Sequence, residues 1–240
     1  MKAGQDVGLF AQIKEDFINI YHNDPAIKSR FELFFNYPGV WAVTWYRIAN
    51  RLYRKGFRRT ARLIMAFNQL LTNIDIHPGA TIGRRLFIDH GIGVVIGETA
   101  VIGDDVLIYQ GVTLGGVSLE PDVKRHPTVK SHAVIGAGAK VLGDITIGKR
   151  AKIGSNSVVV KSVPDDSTAV GIPARIVQKG RDRDPLSHNK LPDIDKELFE
   201  YLLKRVAVLE HVLMKDNTEI LEQDLELEHI YHAFLNAMKN

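Results

Sequence analysis

Ile74-Asp75-Ile76-His77-Pro78-Gly79-Ala80-Thr81-Ile82-Gly83-Arg84-Arg85-Leu86-Phe87-Ile88-Asp89-His90-Gly91 decides the fold. Aliphatic residues stand at 76, 82 and 88, six apart, and glycine follows at 83. A spacing of six fits neither the 3.6-residue turn of a helix nor the two-residue alternation of a half-buried strand. The phase continues through Ile96, Ile102, Ile108 and Leu114, then through Val129, Ile135, Val141, Ile147, Ile153 and Val159. It slips twice, by two residues after Ile88, at Asp89-His90-Gly91, and by nine after Leu114, before Arg125-His126.

A short fixed period marks a solenoid, and a hexapeptide period marks a parallel β-helix. Three hexapeptides close one triangular coil, with the aliphatic residue pointing inward. Glycine is expected at the corners for its tolerance of positive φ. A regular repeat has reason to break only where something is gained, so the two slips are where chemistry is expected. A solenoid encloses little by itself. The insertion from Gly115 to His126 offers one wall, and a neighbouring subunit would offer another.

Outward from the repeat, residues 8–73 read as helical. Leu9, Phe10, Ile13, Phe17, Ile18 and Tyr21 form one amphipathic stripe that ends near Asp24-Pro25. The next helix is expected from Ala26 through Phe31–Phe35, a third through Trp41–Leu52 with Gly56 at its end, and a fourth from Arg58 to Asn73. Beyond the repeat, 180–193 reads as a polar linker. Phe199, Leu202, Val206, Leu209 and Leu213 then make a short a/d seam, and Leu227, Ile230, Phe234 and Met238 a second amphipathic stretch. The expected domains are 1–73, 74–178 with an extended loop at 115–128, and 179–240.

At 240 residues, with 45% hydrophobic and 25% charged residues, the chain suits a soluble globular protein with a substantial core. It has no cysteine, which excludes disulfides, thiolate metal sites and a cysteine nucleophile. A formal net charge of +3 carries no case for nucleic acid. The densest basic run, from Arg51 to Arg62, falls at helical spacing and reads as a solvated helix face. No apolar run is long enough to span a bilayer and no secretory signal opens the chain, so cytoplasm is expected.

Several stretches together resemble serine O-acetyltransferases. They are Asp75-Ile76-His77-Pro78-Gly79-Ala80, Asp89-His90-Gly91, Gly97-Glu98-Thr99-Ala100, Val112-Thr113-Leu114-Gly115-Gly116, Arg125-His126-Pro127, Ile135-Gly136-Ala137-Gly138-Ala139-Lys140 and Gly171-Ile172-Pro173-Ala174-Arg175. The resemblance covers residues 15 to 178. It implies an α+β fold: an N-terminal α-helical domain, a left-handed parallel β-helix and C-terminal helices. The implied reaction moves acetyl from acetyl-CoA to the hydroxyl of L-serine in cysteine synthesis, with acetyl-CoA as co-substrate and no bound cofactor or metal.

His90 matches the family's catalytic histidine. An imidazole with an ordinary pKa of ~6.5 is largely free base at neutral pH and can take the proton of an attacking hydroxyl. Asp75, fifteen residues upstream, matches the dyad aspartate that orients it; a corner aspartate closing its own turn is the structural reading of the same residue. Arg125 and His126 match the clamp for the amino acid's carboxylate, to which arginine offers a bidentate fork. Asp24 and Asp89 match the acids that receive the ammonium, though Asp24 also reads as a helix cap. Glu98 is expected to steady the loop histidine or to serve as a corner residue. Gly116, Ala137, Gly138 and Lys152 match positions along the pantetheine arm and nucleotide of CoA.

The family implies a homotrimer or a dimer of trimers, with Asp89-His90 and Arg125-His126 on different subunits, and feedback inhibition by L-cysteine. Family members that dock onto O-acetylserine sulfhydrylase do so through a C-terminal isoleucine. This chain ends Ala237-Met238-Lys239-Asn240, so that complex is not expected. Two other readings belong beside this one: a sugar or antibiotic O-acetyltransferase on the same solenoid, against which the amino-acid clamp argues, and a β-helical zinc lyase. The lyase needs three convergent histidines, and His126 and His132 stand a full side of the triangle apart.

Overall fold

The computed structural model describes residues 8–23, 27–29, 31–120, 123–179 and 194–213. The chain divides into two compact units, Met1–Leu191 and Pro192–Asn240. Four helices open the first unit: α1 (Leu9–Asn23), α2 (Glu32–Phe35), α3 (Pro38–Arg54) and α4 (Arg58–Thr72). Helix α2 is one turn, shorter than the helix expected from Ala26, because residues 27–29 are not helical. Proline opens α3 at its first position, where the missing N–H costs nothing. Asn73 closes α4 in the left-handed region at φ 56.

The repeat then winds as expected. The first coil is β1 (Asp75–Ile76), β2 (Thr81–Ile82) and β3 (Phe87–Ile88); the second is β4 (Val95–Ile96), β5 (Val101–Ile102) and β6 (Leu107–Ile108). The third is β7 (Thr113–Gly115), β8 (Thr128–Val129) and β9 (Val134–Ile135); the fourth is β10 (Lys140–Leu142), β11 (Thr146–Ile147) and β12 (Lys152–Ile153). Strand β13 (Val158–Val159) follows, then β14 (Ser167–Gly171) and β15 (Ala174–Lys179). Strands of successive coils stack along the axis into three sheets: sheet A holds β1-β4-β7-β10-β13, sheet B β2-β5-β8-β11 and sheet C β3-β6-β9-β12-β14-β15. All pairs are parallel except β14 with β15, a hairpin that ends the coil on sheet C.

Inside sheet A, Ile76, Ile96, Leu114, Val141 and Val159 are aligned rung on rung and fully buried. The interior also has a second set, two residues before inward aliphatics: Ala80, Leu86, Val94, Ala100, Val106, Val112, Ala133, Ala139 and Ala151 are all buried, and all but Leu86 are alanine or valine. Small residues belong there because two walls converge at each corner and leave little volume.

The expectation about glycine is corrected in part. Gly83, Gly103, Gly136 and Gly148, which follow inward aliphatics, are not among the residues with positive φ. They are glycine because coils pass close: a β-carbon on Gly103 would meet the Ser131 backbone at 2.6 Å, and one on Gly136 the Ile153 carbonyl at 2.7 Å. Most left-handed residues stand instead in two vertical columns. Between sheets C and A the column is Asn73, Gly93, Gly111, Gly138 and Asn156. Between sheets B and C it is Arg85, Asp105, His132, Arg150 and Asp166, with φ from 55 to 62. Stacked charges line that second edge: Arg85 pairs with Asp105 at 2.5 Å, and Arg150 with Asp166.

Helices α1 and α3 are keyed to the first coil. Arg47, buried, donates to both carboxylate oxygens of Asp16 and to the carbonyls of Ile82 and Gly83. Asp16 also accepts the Arg85 N–H. Tyr46 donates to the Ala80 carbonyl at 2.6 Å.

The second unit presents one described helix, α5 (Ile194–Leu213), on which Phe199, Leu202, Val206 and Leu209 of the expected seam are exposed. The second amphipathic stretch, 227–238, lies outside the described residues. No helix among the described residues is long and apolar enough to cross a membrane.

Candidate active site

The outer face of sheet A bears a cleft of about 400 Å³. Arg62, Met65, Ala66 and Gln69 of α4 line one side, and Asp75, His77, Val95 and Glu98 come from the first two coils. The long loop between β7 and β8 returns Arg125 and His126 to the same cleft. Two acids and several cationic or imidazole groups therefore face one small volume. Such a lining suits a zwitterion rather than an apolar ligand.

Arg125 is braced on two sides. Its Nη2 lies 3.5 Å from Glu98 Oε2, and its Nη1 donates to the Ser118 carbonyl at 3.3 Å. Glu98 in turn accepts the Tyr53 hydroxyl of α3 at 3.1 Å and lies 4.0 Å from His77 Nε2. The glutamate thus braces the loop arginine directly. The residue bonded to the loop histidine is Thr99, whose backbone N–H donates to His126 Nδ1 at 3.2 Å.

The His126 ring lies against Gly97, where any β-carbon would overlap it. Burial, with the cations Arg125 and Lys124 beside it, holds the His126 imidazolium below its ordinary pKa. Burial lowers that of His77 too, Arg62 adding to it while Glu98 and Asp75 oppose. Both shifts favour the neutral ring. His77 Nδ1 accepts the Gly79 N–H at 3.0 Å.

His90 stands elsewhere. It occupies the turn from sheet C into sheet A, in the left-handed region at φ 56, followed by Gly91 at φ 80. The turn is braced by the Asp89 N–H on the Ile108 carbonyl at 2.8 Å. At φ 80 a side chain on residue 91 would be strained, and its β-carbon would also crowd the Ile74 side chain, so the position favours glycine. The His90 side chain is 72% exposed and that of Asp89 21%, with Nε2 and Oδ1 3.8 Å apart. His90 is open to a ligand or a neighbouring chain and does not line the cleft. Asp75 pairs across to Val95 at the start of sheet A and faces the cleft.

Of the remaining candidates, Gly116, Ala137 and Gly138 fall on the borders of sheet A. Gly116 follows β7 on the loop side, where a β-carbon would lie 3.2 Å from both Arg125 Cγ and His126 Nε2. Ala137 and Gly138 precede β10 at the opposite border, and Lys152 lies on sheet C. The two borders are one strand apart, roughly 10 Å. Asp24 lies outside the described residues. The histidines of the lyase reading diverge: His126 is in the cleft and His132 on the edge between sheets B and C, 3.9 Å from Asp105. Among the described residues no cluster of three or more His, Asp or Glu is placed to hold a metal ion.

Sequence reasoning gave Tyr53 and Thr99 no role, although Thr99 falls in the quoted Gly97-Glu98-Thr99-Ala100 stretch. It read Arg62 as part of a solvated helix face and placed His77 only within a resemblance stretch, whereas both line the cleft.

Residues 126–161 match the family model described as bacterial transferase hexapeptide (six repeats). The serine acetyltransferase of Bacillus subtilis is 50% identical over 216 residues, covering 89% of this chain and 99% of that protein. Soybean serine acetyltransferase complexed with serine matches with a TM-score of 0.67 and 42% identity, over 70% of this chain and 69% of that one. A serine acetyltransferase complex with cysteine matches at a TM-score of 0.68 and 42% identity, over 71% and 70% of the two chains. A complex with CoA matches at 0.66 and 42% identity, over 70% and 69%.

Proposed function

The chain belongs to the serine acetyltransferase family, and from that premise we propose that it transfers acetyl from acetyl-CoA to L-serine by general-base catalysis within a ternary complex. The observation that carries this reading is the pair Arg125 and His126, held over Gly97 in a cleft that also contains carboxylates. A guanidinium and a neutral imidazole N–H are donors for a free carboxylate. Asp89, with Asp24, receives the substrate's ammonium. Opposite charges at the two ends turn the serine hydroxyl toward His90.

His90 takes the hydroxyl proton as the oxygen adds to the thioester carbonyl. The tetrahedral intermediate collapses, the C–S bond breaks, and the CoA thiolate recovers the proton from the imidazolium. Asp75 serves as the carboxylate that orients the base. Gly116, Ala137 and Gly138 leave room for the pantetheine arm, and Lys152 serves a phosphate of the nucleotide. The active form is a homotrimer or a dimer of trimers in the cytoplasm, in which His90 of one subunit meets Arg125-His126 of the next. L-Cysteine competes with serine for the same charged ends; the cysteine, serine and CoA complexes of related enzymes support that assignment.

The test is CoA release with L-serine, L-homoserine and a galactoside as acceptors. Turnover is expected with L-serine, and turnover with the galactoside alone would reject the assignment. His90→Ala is expected to lose about 10²–10⁴-fold in kcat with the oligomer intact; full activity would remove His90 as the base.

A further inference from the structure

Resting on the reading of Arg125-His126 as the carboxylate clamp, we propose that Thr99 is its positioning residue, whose hydroxyl sets the loop end and, together with the Thr99 backbone N–H, holds His126 Nδ1 as an acceptor so that Nε2–H is offered to the substrate. Thr99 Oγ1 accepts the backbone N–H of Arg125 at 3.0 Å and that of His126 at 3.1 Å. The same oxygen lies 2.9 Å from His126 Nδ1.

The direction of that last bond follows from its neighbour. The Thr99 backbone N–H also points at Nδ1, at 3.2 Å, and a backbone N–H can only donate. Nδ1 is therefore an acceptor, and the proton of the neutral ring sits on Nε2. With both acceptor positions of the hydroxyl taken by N–H groups, its own proton is free to go to Nδ1. One donor and two acceptor positions are then used in full.

The consequence is mechanical as well as electronic. The loop leaves the coil after Gly115 and must return Arg125 and His126 in one orientation. Three of the bonds that fix the return end converge on a single side chain of the second coil. Gly97 beneath the ring and Glu98 beside the guanidinium complete the seat. Thr99 acts only through the clamp. A carboxylate bound there would feel its loss, whereas the thioester partner would not.

The experiment compares the full-length oligomer with Thr99→Ser, which keeps the hydroxyl, and Thr99→Val, which keeps the shape. Thr99→Val is expected to raise KM for L-serine about tenfold or more, the loss of one hydrogen bond to a charged group. KM for acetyl-CoA should stay within about threefold, and Thr99→Ser should restore both constants to within about threefold of the parent. Nitrogen-15 spectra of histidine-labelled protein, with His126 assigned by its absence in His126→Gln, give a readout independent of turnover. The parent and Thr99→Ser should show the Nε2–H form with the same Nδ1 resonance; Thr99→Val keeps the backbone donor to Nδ1, so the Nε2–H form should persist there with the Nδ1 resonance moved by loss of the hydroxyl's hydrogen bond.

Failure of the parent to acetylate L-serine would reject the functional reading while the spectra still judge Thr99. An unaltered Nδ1 resonance and serine KM in Thr99→Val would overturn the proposal. So would equal damage from Ser and Val, or an equal rise in both KM values accompanied by a lowered Tm.

Discussion

A β-carbon on Gly97 would sit within 2.0 Å of Cδ2 and Nε2 of His126. What gives way is the ring, the far end of a side chain on a loop, rather than the stacked coil beneath it. Gly97→Ala is therefore expected to raise KM for L-serine about tenfold or more while Tm moves by no more than a few degrees. Thermal melts alongside serine kinetics check both halves; a collapsed Tm with normal kinetics in the surviving protein would contradict it. The glycine was readable from sequence as a corner position in the six-residue phase. Its partner was not, because the insertion after Leu114 removes any count that could say which coil the loop lands on. Thr99 was hidden for the same reason, since among the described residues its side-chain bonds reach across to the returning loop. The legible residues were those whose place follows from their own phase in the repeat, the inward aliphatics above all.

Among elements, the solenoid was legible because its order is local and periodic, and each inward residue needs only its phase. The seat of the helices on it was not. That seat depends on Arg47 of α3 reaching Asp16 of α1 and two carbonyls at the end of β2, all distant in sequence. The side chains of Arg47 and Asp16 are 5% and 1% exposed, so neither charge can fall back on water. Burial pushes the Asp16 carboxyl up, and the Arg47 guanidinium pulls it back. Arg47→Ala should cost about 3–5 kcal/mol, as for a buried pair broken on one side. Asp16→Leu combined with Arg47→Met removes both charges, yet it should remain less stable than the parent, because the Ile82 and Gly83 carbonyls lose their donor. Denaturant midpoints of the variants decide it. Full recovery in the double variant would mean that the carbonyl contacts contribute nothing.

For the whole molecule, the two slips in the repeat fall at opposite borders of one sheet. Asp89-His90-Gly91 lies between β3 and β4, where sheet C turns into sheet A, and Arg125-His126 closes the loop between β7 and β8, where sheet A turns into sheet B. His90 points outward and is absent from the cleft that holds the clamp. A site needing both within reach of one serine is then most simply completed across subunits, with one border of sheet A meeting the other in a closed ring. Mixing tests this directly. His90→Ala and Arg125→Ala should each be nearly inactive alone. After co-expression at equal levels, random assembly places an intact His90 beside an intact Arg125 at about a quarter of the shared sites, and activity should return to about that fraction. If base and clamp serve the same chain, no mixed site is ever complete and the mixture stays at the level of its parents. The outcome is read as specific activity of the isolated mixed oligomer against the parent, with subunit ratios fixed by mass.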